Sequence, residues 1–92
     1  MYEIRFTAKM RRDAKRMAKR GKDISKLTTC LALLASGAKL PVTYRDHPLT
    51  GNYSGNRECH LESDWLLIYR IHQENLILVA TETGTHADLF GL

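Results

Sequence analysis

Cysteine is scarce in this chain of 92 residues: only Cys30 and Cys59 occur. Two are too few for a disulfide framework, and they lack the local CxxC spacing of a zinc site, so both read as small core residues. Long apolar runs are missing too. No stretch approaches the ~20 residues of a membrane span, and the opening MYEIRFTAKMRRD has no apolar region ahead of a cleavage site. The expectation is a cytoplasmic protein with no membrane contact. Internal repeats and low-complexity segments are absent, and so is any serine or cysteine in a recognisable nucleophile context. Acidic residues thin out at one place. From Lys9 to Lys22 there are eight Lys or Arg residues and a single acid, Asp13, which accounts for most of the net charge of +4. Such a block favours a polyanion or an acidic protein partner, although its default reading is a solvated helix face.

What is present suits one soluble globular domain spanning residues 1–92, with 43% hydrophobic and 26% charged residues. Tyr2, Ile4 and Phe6 alternate as a short strand. Phe6, Met10, Ala14, Met17 and Ala18 then recur at helical spacing, with Thr7 as N-cap and Gly21 as stop. Asp23 caps a second helix, in which Ile24, Leu27, Leu31 and Leu34 form the apolar stripe and Ser36-Gly37 the end. Only Gly21 and Lys22 separate the two, so they form an antiparallel hairpin that needs a flat surface to cover. Residues 39–56 read as loop, with Pro41, Pro48, Gly51 and Gly55. Three strand-like runs follow, RECHLE (57–62), WLLIYRIH (65–72) and LILVAT (76–81), joined closely enough for an antiparallel meander. The predicted fold is α+β with the order β-α-α-β-β-β: a twisted antiparallel sheet with the helical hairpin on one face.

Three of the four histidines sit in polar, turn-rich company: His47, His60 and His86; His72 closes a strand and reads as plain surface. In an extended strand Glu58, His60 and Glu62 point one way while Arg57, Cys59 and Leu61 point the other. If Cys59 and Leu61 meet the helices, His60 lies on the open face between carboxylates. The loop carrying His47 leads into this strand, Asp64 follows it at the turn, and the tail ETGTHADLF carries His86 away from the same sheet, with Leu89 and Phe90 as its anchor. Such a cluster beside a basic helix suits RNA cleavage. The substrate's own 2′-hydroxyl can attack the adjacent phosphate, so the protein must supply a base, an acid and positive charge for the transition state. Histidine fills either of the first two roles near neutral pH; Arg45 and Arg57 are candidates for the third. The rival reading takes His47, His60, His86 and Asp64 as zinc ligands, without any sharp ligand spacing such as HxxxH. Trp65 and Tyr69, at alternate strand positions, read first as core, while Phe90 either pins the tail or stacks on a base.

The segments YRDHPLTGNYSGNRECHLESDWLLIYRI and ETGTHADLF resemble the YafQ branch of the RelE/ParE toxin superfamily. The likeness rests on three ordered blocks: DHPL with the following glycine, R-x-x-H-x-x-x-D-W, and G-T-H-x-x-L-F. It implies a RelE-like toxin of a type II toxin-antitoxin system that cuts mRNA in the ribosomal A site without a metal or other cofactor, leaving a 2′,3′-cyclic phosphate and a 5′-hydroxyl. It implies as partners the ribosome, mRNA and a cognate DinJ- or RelB-like antitoxin with a ribbon-helix-helix domain; operator DNA is reached only through that antitoxin. Residue by residue, His47, His60, Asp64 and His86 match the catalytic cluster. His60 and His86 are the expected proton-transfer pair, and Asp64 orients or tunes them. Arg45, Arg57, Trp65 and Phe90 make up the substrate-contacting set. One position departs from the pattern: Glu82 stands where the family commonly has arginine, and a carboxylate there repels developing phosphate charge. Three outcomes follow: another arginine takes over, Glu82 turns away, or cleavage is weakened, in the limit to a binder acting only through antitoxin or another protein target.

Overall fold

A computed structural model describes residues 1–91. β1 (Glu3–Phe6) is followed by α1 (Ala8–Lys19) and α2 (Ile24–Ala35), then by β2 (His47–Pro48), β3 (Arg57–Glu62), β4 (Trp65–His72), β5 (Ile77–Gly84) and a final turn of helix, α3 (His86–Phe90). Both helices start where the capping residues place them. The Thr7 side chain accepts a hydrogen bond from the Met10 amide, and the Asp23 carboxylate accepts one from the Ser25 amide.

The strands form one five-stranded sheet in the order β1-β5-β4-β3-β2. β3, β4 and β5 form the antiparallel meander expected, and β2, inside the segment read as loop, adds antiparallel to β3. β1, however, lies beside β5 and runs parallel to it, pairing Glu3 with Ile77 through Phe6 with Ala80. The sheet is therefore mixed rather than wholly antiparallel. The helical hairpin carries the chain across the sheet, and the meander then returns to β1 from the far edge; that long connection leaves their relative direction free of the alternation rule for hairpins.

One face of the sheet meets the helices. Met10 and Met17 of α1, with Leu27, Cys30, Leu31 and Leu34 of α2, pack against Cys59, Trp65, Leu67, Tyr69, Leu78 and Ala80. Both cysteines are buried and free, their sulfurs 3.6 Å apart, and the Cys59 thiol is pushed far up by its hydrogen bond to Cys30 and by burial.

β5 runs past the end of β1, which leaves its edge without a strand partner. Three side-chain and cap contacts close that edge. The Thr7 hydroxyl donates to the Thr81 carbonyl, the Thr7 amide donates to Ala80, and Asp13 accepts from the Thr83 amide at 3.2 Å. This explains the lone acid of the basic block. Asp13 is 2% exposed and holds Lys9 and Arg16 besides Thr83, since a carboxylate leaves water only when its lone pairs are taken up.

Two β-bulges decide which side chains share the face away from the helices. Between His60 and Glu62 the β3–β4 register slips by one residue, and between Ile68 and Tyr69 the β4–β5 register does the same at Thr81. One inserted residue moves every later side chain to the opposite face. Glu62 therefore leaves the face of His60, contrary to simple alternation, and is gripped by Lys22 and Lys26 at 2.7 and 2.8 Å. Glu82, which would follow Leu78 and Ala80 into the core, instead joins the histidine face.

Candidate active site

Across four strands, His47, Glu58, Ile68 and Glu82 are paired in one row, and His60, Leu66 and Gly84 form the next. Leu66 and Ile68 are fully buried yet lie outside the core cluster packed under α1 and α2; they make an apolar floor beneath the titratable side chains. The loop of residues 49–56, read from sequence as irregular, is pinned over this face. Asn56 is buried, its amide group donating to the Tyr53 carbonyl and its carbonyl oxygen accepting from Arg70 and Thr81.

Each imidazole is held differently. His86 Nδ1 lies 2.6 Å from Asp64 Oδ1, which also accepts the His86 amide at 2.9 Å. Those two hydrogen bonds, backbone first, hold the Asp64 carboxyl below its ordinary value. With Nδ1 engaged, Nε2 is the ring nitrogen that faces outward on a half-exposed side chain. His60 lies with Nε2 3.2 Å from Glu58 Oε1, while its Nδ1 is buried without a partner. His47 places Nε2 3.8 Å from the same Glu58 oxygen and sets Nδ1 2.7 Å from the Arg45 carbonyl. Arg45 reaches that position in the left-handed backbone region, φ 51°, which costs a non-glycine residue roughly 1–2 kcal/mol. The His60 and His86 ring centroids are 5.8 Å apart.

The tail owes its position to more than Leu89 and Phe90. Thr85 and Asp88 form a reciprocal capping box around the first turn of α3, and Arg20 grips Asp88 through two contacts of 2.6 and 2.9 Å. Arg20 first, then the Thr85 amide, hold Asp88 well below the usual carboxylate range. Gly84 is required here, because a Cβ on it would lie 2.9 Å from the Asp88 Cβ. Phe90 packs edge-on against Tyr53, ring centroids 5.2 Å apart, and Tyr53 donates to the Leu89 carbonyl. The Tyr53 phenol is shifted up by burial and then by Glu82.

The fold thus gathers His47, His60, Asp64 and His86 on one face, with Phe90 at its rim. Two of the expected substrate contacts are elsewhere. Trp65 is fully buried on the helix side, its indole N–H donating to the Thr83 hydroxyl at 2.9 Å, so it cannot stack on a substrate; the alternation of β4 places it with Leu67 and Tyr69. Arg57 shares the row of Tyr69, on the face opposite the histidines, and is held by Asp46 at 3.0 Å; Asp46 also accepts from the Tyr69 hydroxyl. That guanidinium is directed away from any group bound over the imidazoles. Arg45 stays exposed beside His47.

Glu82 does not turn away. It sits two strands from Glu58 in the same row, buried, with Lys9 Nζ at 3.2 Å. Burial pulls the Lys9 amine down, and its hydrogen bonds to Asp13 and Glu82 more than offset this, leaving it raised. The carboxylate is therefore neutralised on the spot by a half-exposed lysine from α1. Glu58 is the member of the cluster that the sequence alone undervalued: its i+2 spacing from His60 was the available signal. It also alters the metal reading. Among the described residues, the group able to supply three ligands is Glu58, His60 and His86, whose donor atoms lie within 4.8 Å of one another, rather than the three histidines with Asp64.

Imidazoles beside carboxylates over an apolar floor, on the sheet face away from α1 and α2, mark a small α+β protein with a titratable cluster on its sheet. Comparison with known proteins narrows the class. The family described as a bacterial toxin of type II toxin-antitoxin systems, YafQ, matches residues 2–91, and the chain belongs to that family. It is 41% identical to the mRNA interferase toxin YafQ of Escherichia coli strain K12 over 90 residues, 97% of this chain and 96% of that protein. Its fold is similar to the toxin in the crystal structure of the E. coli DinJ-YafQ complex, with TM-score 0.89 and 39% identity over 99% of this chain and 100% of the other. It is also similar to a metal-bound toxin from Helicobacter pylori, with TM-score 0.92 and 37% identity over 98% and 100% of the two chains.

Proposed function

We propose that this protein is an mRNA endonuclease acting in the ribosomal A site, and that it works by acid-base catalysis without a metal. The observation that carries the reading is the pairing of His60 and His86, 5.8 Å apart and each beside a carboxylate. In this mechanism one imidazole takes the proton from the substrate 2′-hydroxyl as its oxygen bonds to phosphorus. The other gives a proton to the 5′-oxygen as the P–O5′ bond breaks, leaving a 2′,3′-cyclic phosphate and a 5′-hydroxyl. Asp64 acts as a positioning residue by fixing the His86 ring, and Glu58 does the same for His60 and His47. Arg57 being turned away, the charge on the phosphorane-like transition state falls to Arg45. Phe90, braced by Tyr53, orients the substrate.

The partner that fits is a DinJ-like ribbon-helix-helix antitoxin with an acidic segment for the basic surface of α1, where Arg11, Arg12, Lys15 and Lys19 are exposed. Operator DNA would be met only through it. Expression of His86→Ala tests the nuclease reading: growth arrest and mRNA cutting on ribosomes should both vanish while the fold is retained. Unchanged cutting by a folded His86→Ala protein would refute it.

Glu58, His60 and His86 favour a second reading, in which a transition metal binds the same nitrogens. A metal held there would occupy lone pairs that proton transfer needs, so added zinc or copper should inhibit, and chelation with ribosomal magnesium kept constant should leave cutting intact. Loss of cutting on chelation would establish metal dependence. A binder without nuclease activity is separated from both by sequencing mRNA 5′ ends after brief induction.

A further inference from the structure

β2 is only two residues long and pairs with Arg57 and Glu58 alone, so beyond it the outer edge of β3 has no strand beside it among the described residues. A cleft of about 600 Å³ opens there, between the first half of α2, the 3-10 turn Val42–Tyr44 and the end of β3. Its walls include Lys26, Thr29, Thr43, Arg45, His60 and Glu62. Two of these residues also belong to the proposed active site. His60 forms a wall of both, and Arg45 lines the cleft while its carbonyl holds His47. The cleft is thus continuous with the imidazoles on the side away from Tyr53 and Phe90.

Resting on the nuclease reading, we propose that this cleft is a nucleotide subsite: it seats a nucleotide flanking the scissile phosphate and sets part of the sequence preference of the cut. Its volume lies in the range of small-ligand sites. Its charge suits a polyanion, since Glu62 is already engaged by Lys22 and Lys26 and Arg45 adds a third cation. The Thr29 and Thr43 hydroxyls can donate to or accept from a base edge, and a guanidinium plane can stack on one. An RNA strand crossing the histidines must continue on both sides of the cleaved bond. Tyr53 and Phe90 meet it on one side and the cleft on the other.

Labelled protein titrated with a 2′-O-methyl trinucleotide, which lacks the attacking hydroxyl, tests the site directly. The amide signals of Thr29 and Thr43 should move together with those of His60 and His86. In Thr29→Trp, which fills the cleft from an exposed helix position, the cleft signals should stay still, those of His86 should still move, and affinity should fall roughly tenfold. Movement confined to His86 and Phe90 in the parent would overturn the subsite. So would cleft signals that respond to an acidic peptide and not to RNA, which would make it a protein groove. On ribosomes, Thr29→Trp should relax the preference at one nucleotide beside the cut about tenfold with an unchanged pH profile, and an unaltered preference would also overturn the proposal. Cleft signals that move with RNA in a parent protein unable to cut mRNA would defeat the nuclease reading while supporting the subsite.

Discussion

The two faces of the sheet are built from the same strands and do opposite things. On the helix side Trp65, Leu67 and Tyr69 pack into the core under α1 and α2, the charged members of their rows, Glu62 and Arg57, are taken up by Lys22, Lys26 and Asp46, and Asp13 closes the bare edge of β5. On the other side Leu66 and Ile68 are just as deeply buried, yet every neighbour in their rows but Gly84 is a histidine or a glutamate. The lesson is that β4 is apolar on both faces while β3 and β5 are not, so the division of labour lies in the flanking strands. Their two bulges enforce it by removing Glu62 from the histidine face and bringing Glu82 onto it.

Substitutions of the exposed imidazoles on one face should therefore change rate ahead of stability, and those in the core on the other stability first. The largest effect expected is on the histidine side. His60→Ala and His86→Ala should each lower the cleavage rate on ribosomes by roughly 10²–10⁴-fold, and His86→Ala, at a half-exposed position, should keep a urea midpoint close to the parent. For the helix face, Trp65→Ala should cost about 3–5 kcal/mol in equilibrium unfolding. A Trp65→Ala protein of full stability and poor activity would break the comparison by giving the indole a role with substrate. Asp13→Ala, at the boundary between the two faces, should cost roughly 1–3 kcal/mol by leaving the Thr83 amide unpaired, and amide exchange at Thr83 should speed up ahead of the rest of β5.

A smaller effect is expected from pH. Asp88 has its folded value depressed by Arg20. Its stabilisation is therefore complete above the unfolded carboxyl value, about 3.9, and is lost as pH falls through the folded one. Asp88→Asn should melt below the parent near pH 6, and the two curves should converge in strong acid; a gap that widened on acidification would contradict the assigned direction. The smallest effect expected is at Glu82→Arg. Cutting should equal or exceed that of the parent. A large loss of activity would show that the carboxylate itself serves the reaction.

Much of this was legible in the chain. Caps at Thr7 and Asp23, the two helical stripes and the three strand runs depend on chemistry within a few residues; the first two runs appear as read, and the third, read as 76–81, is the strand Ile77–Gly84. The residues of the candidate cluster could be named because histidines in polar, turn-rich settings stand out. Their burial, partners and facing could not, since each depends on a register. Strict alternation misassigned Glu62 and left Glu82 undecided, because an inserted residue leaves no mark in a period of two. Arg57 was placed on the correct side by alternation, yet its engagement with Asp46 needed the loop before β2 to fold back. α3 was announced by the Thr85-x-x-Asp88 spacing of its capping box, but the Asp88–Arg20 contact joins positions far apart in the chain, and no local pattern announces it.

By itself the amino-acid sequence determined the elements, the basic surface of α1 and the kinds of acid and base available, because propensity, capping and charge are local. Tertiary structure decided the parallel placement of β1 and the face on which each acid stands. It also brought together imidazoles from three distant segments. Strand pairing and bulges are contacts between remote parts of the chain, and only when they form do side chains acquire a common face.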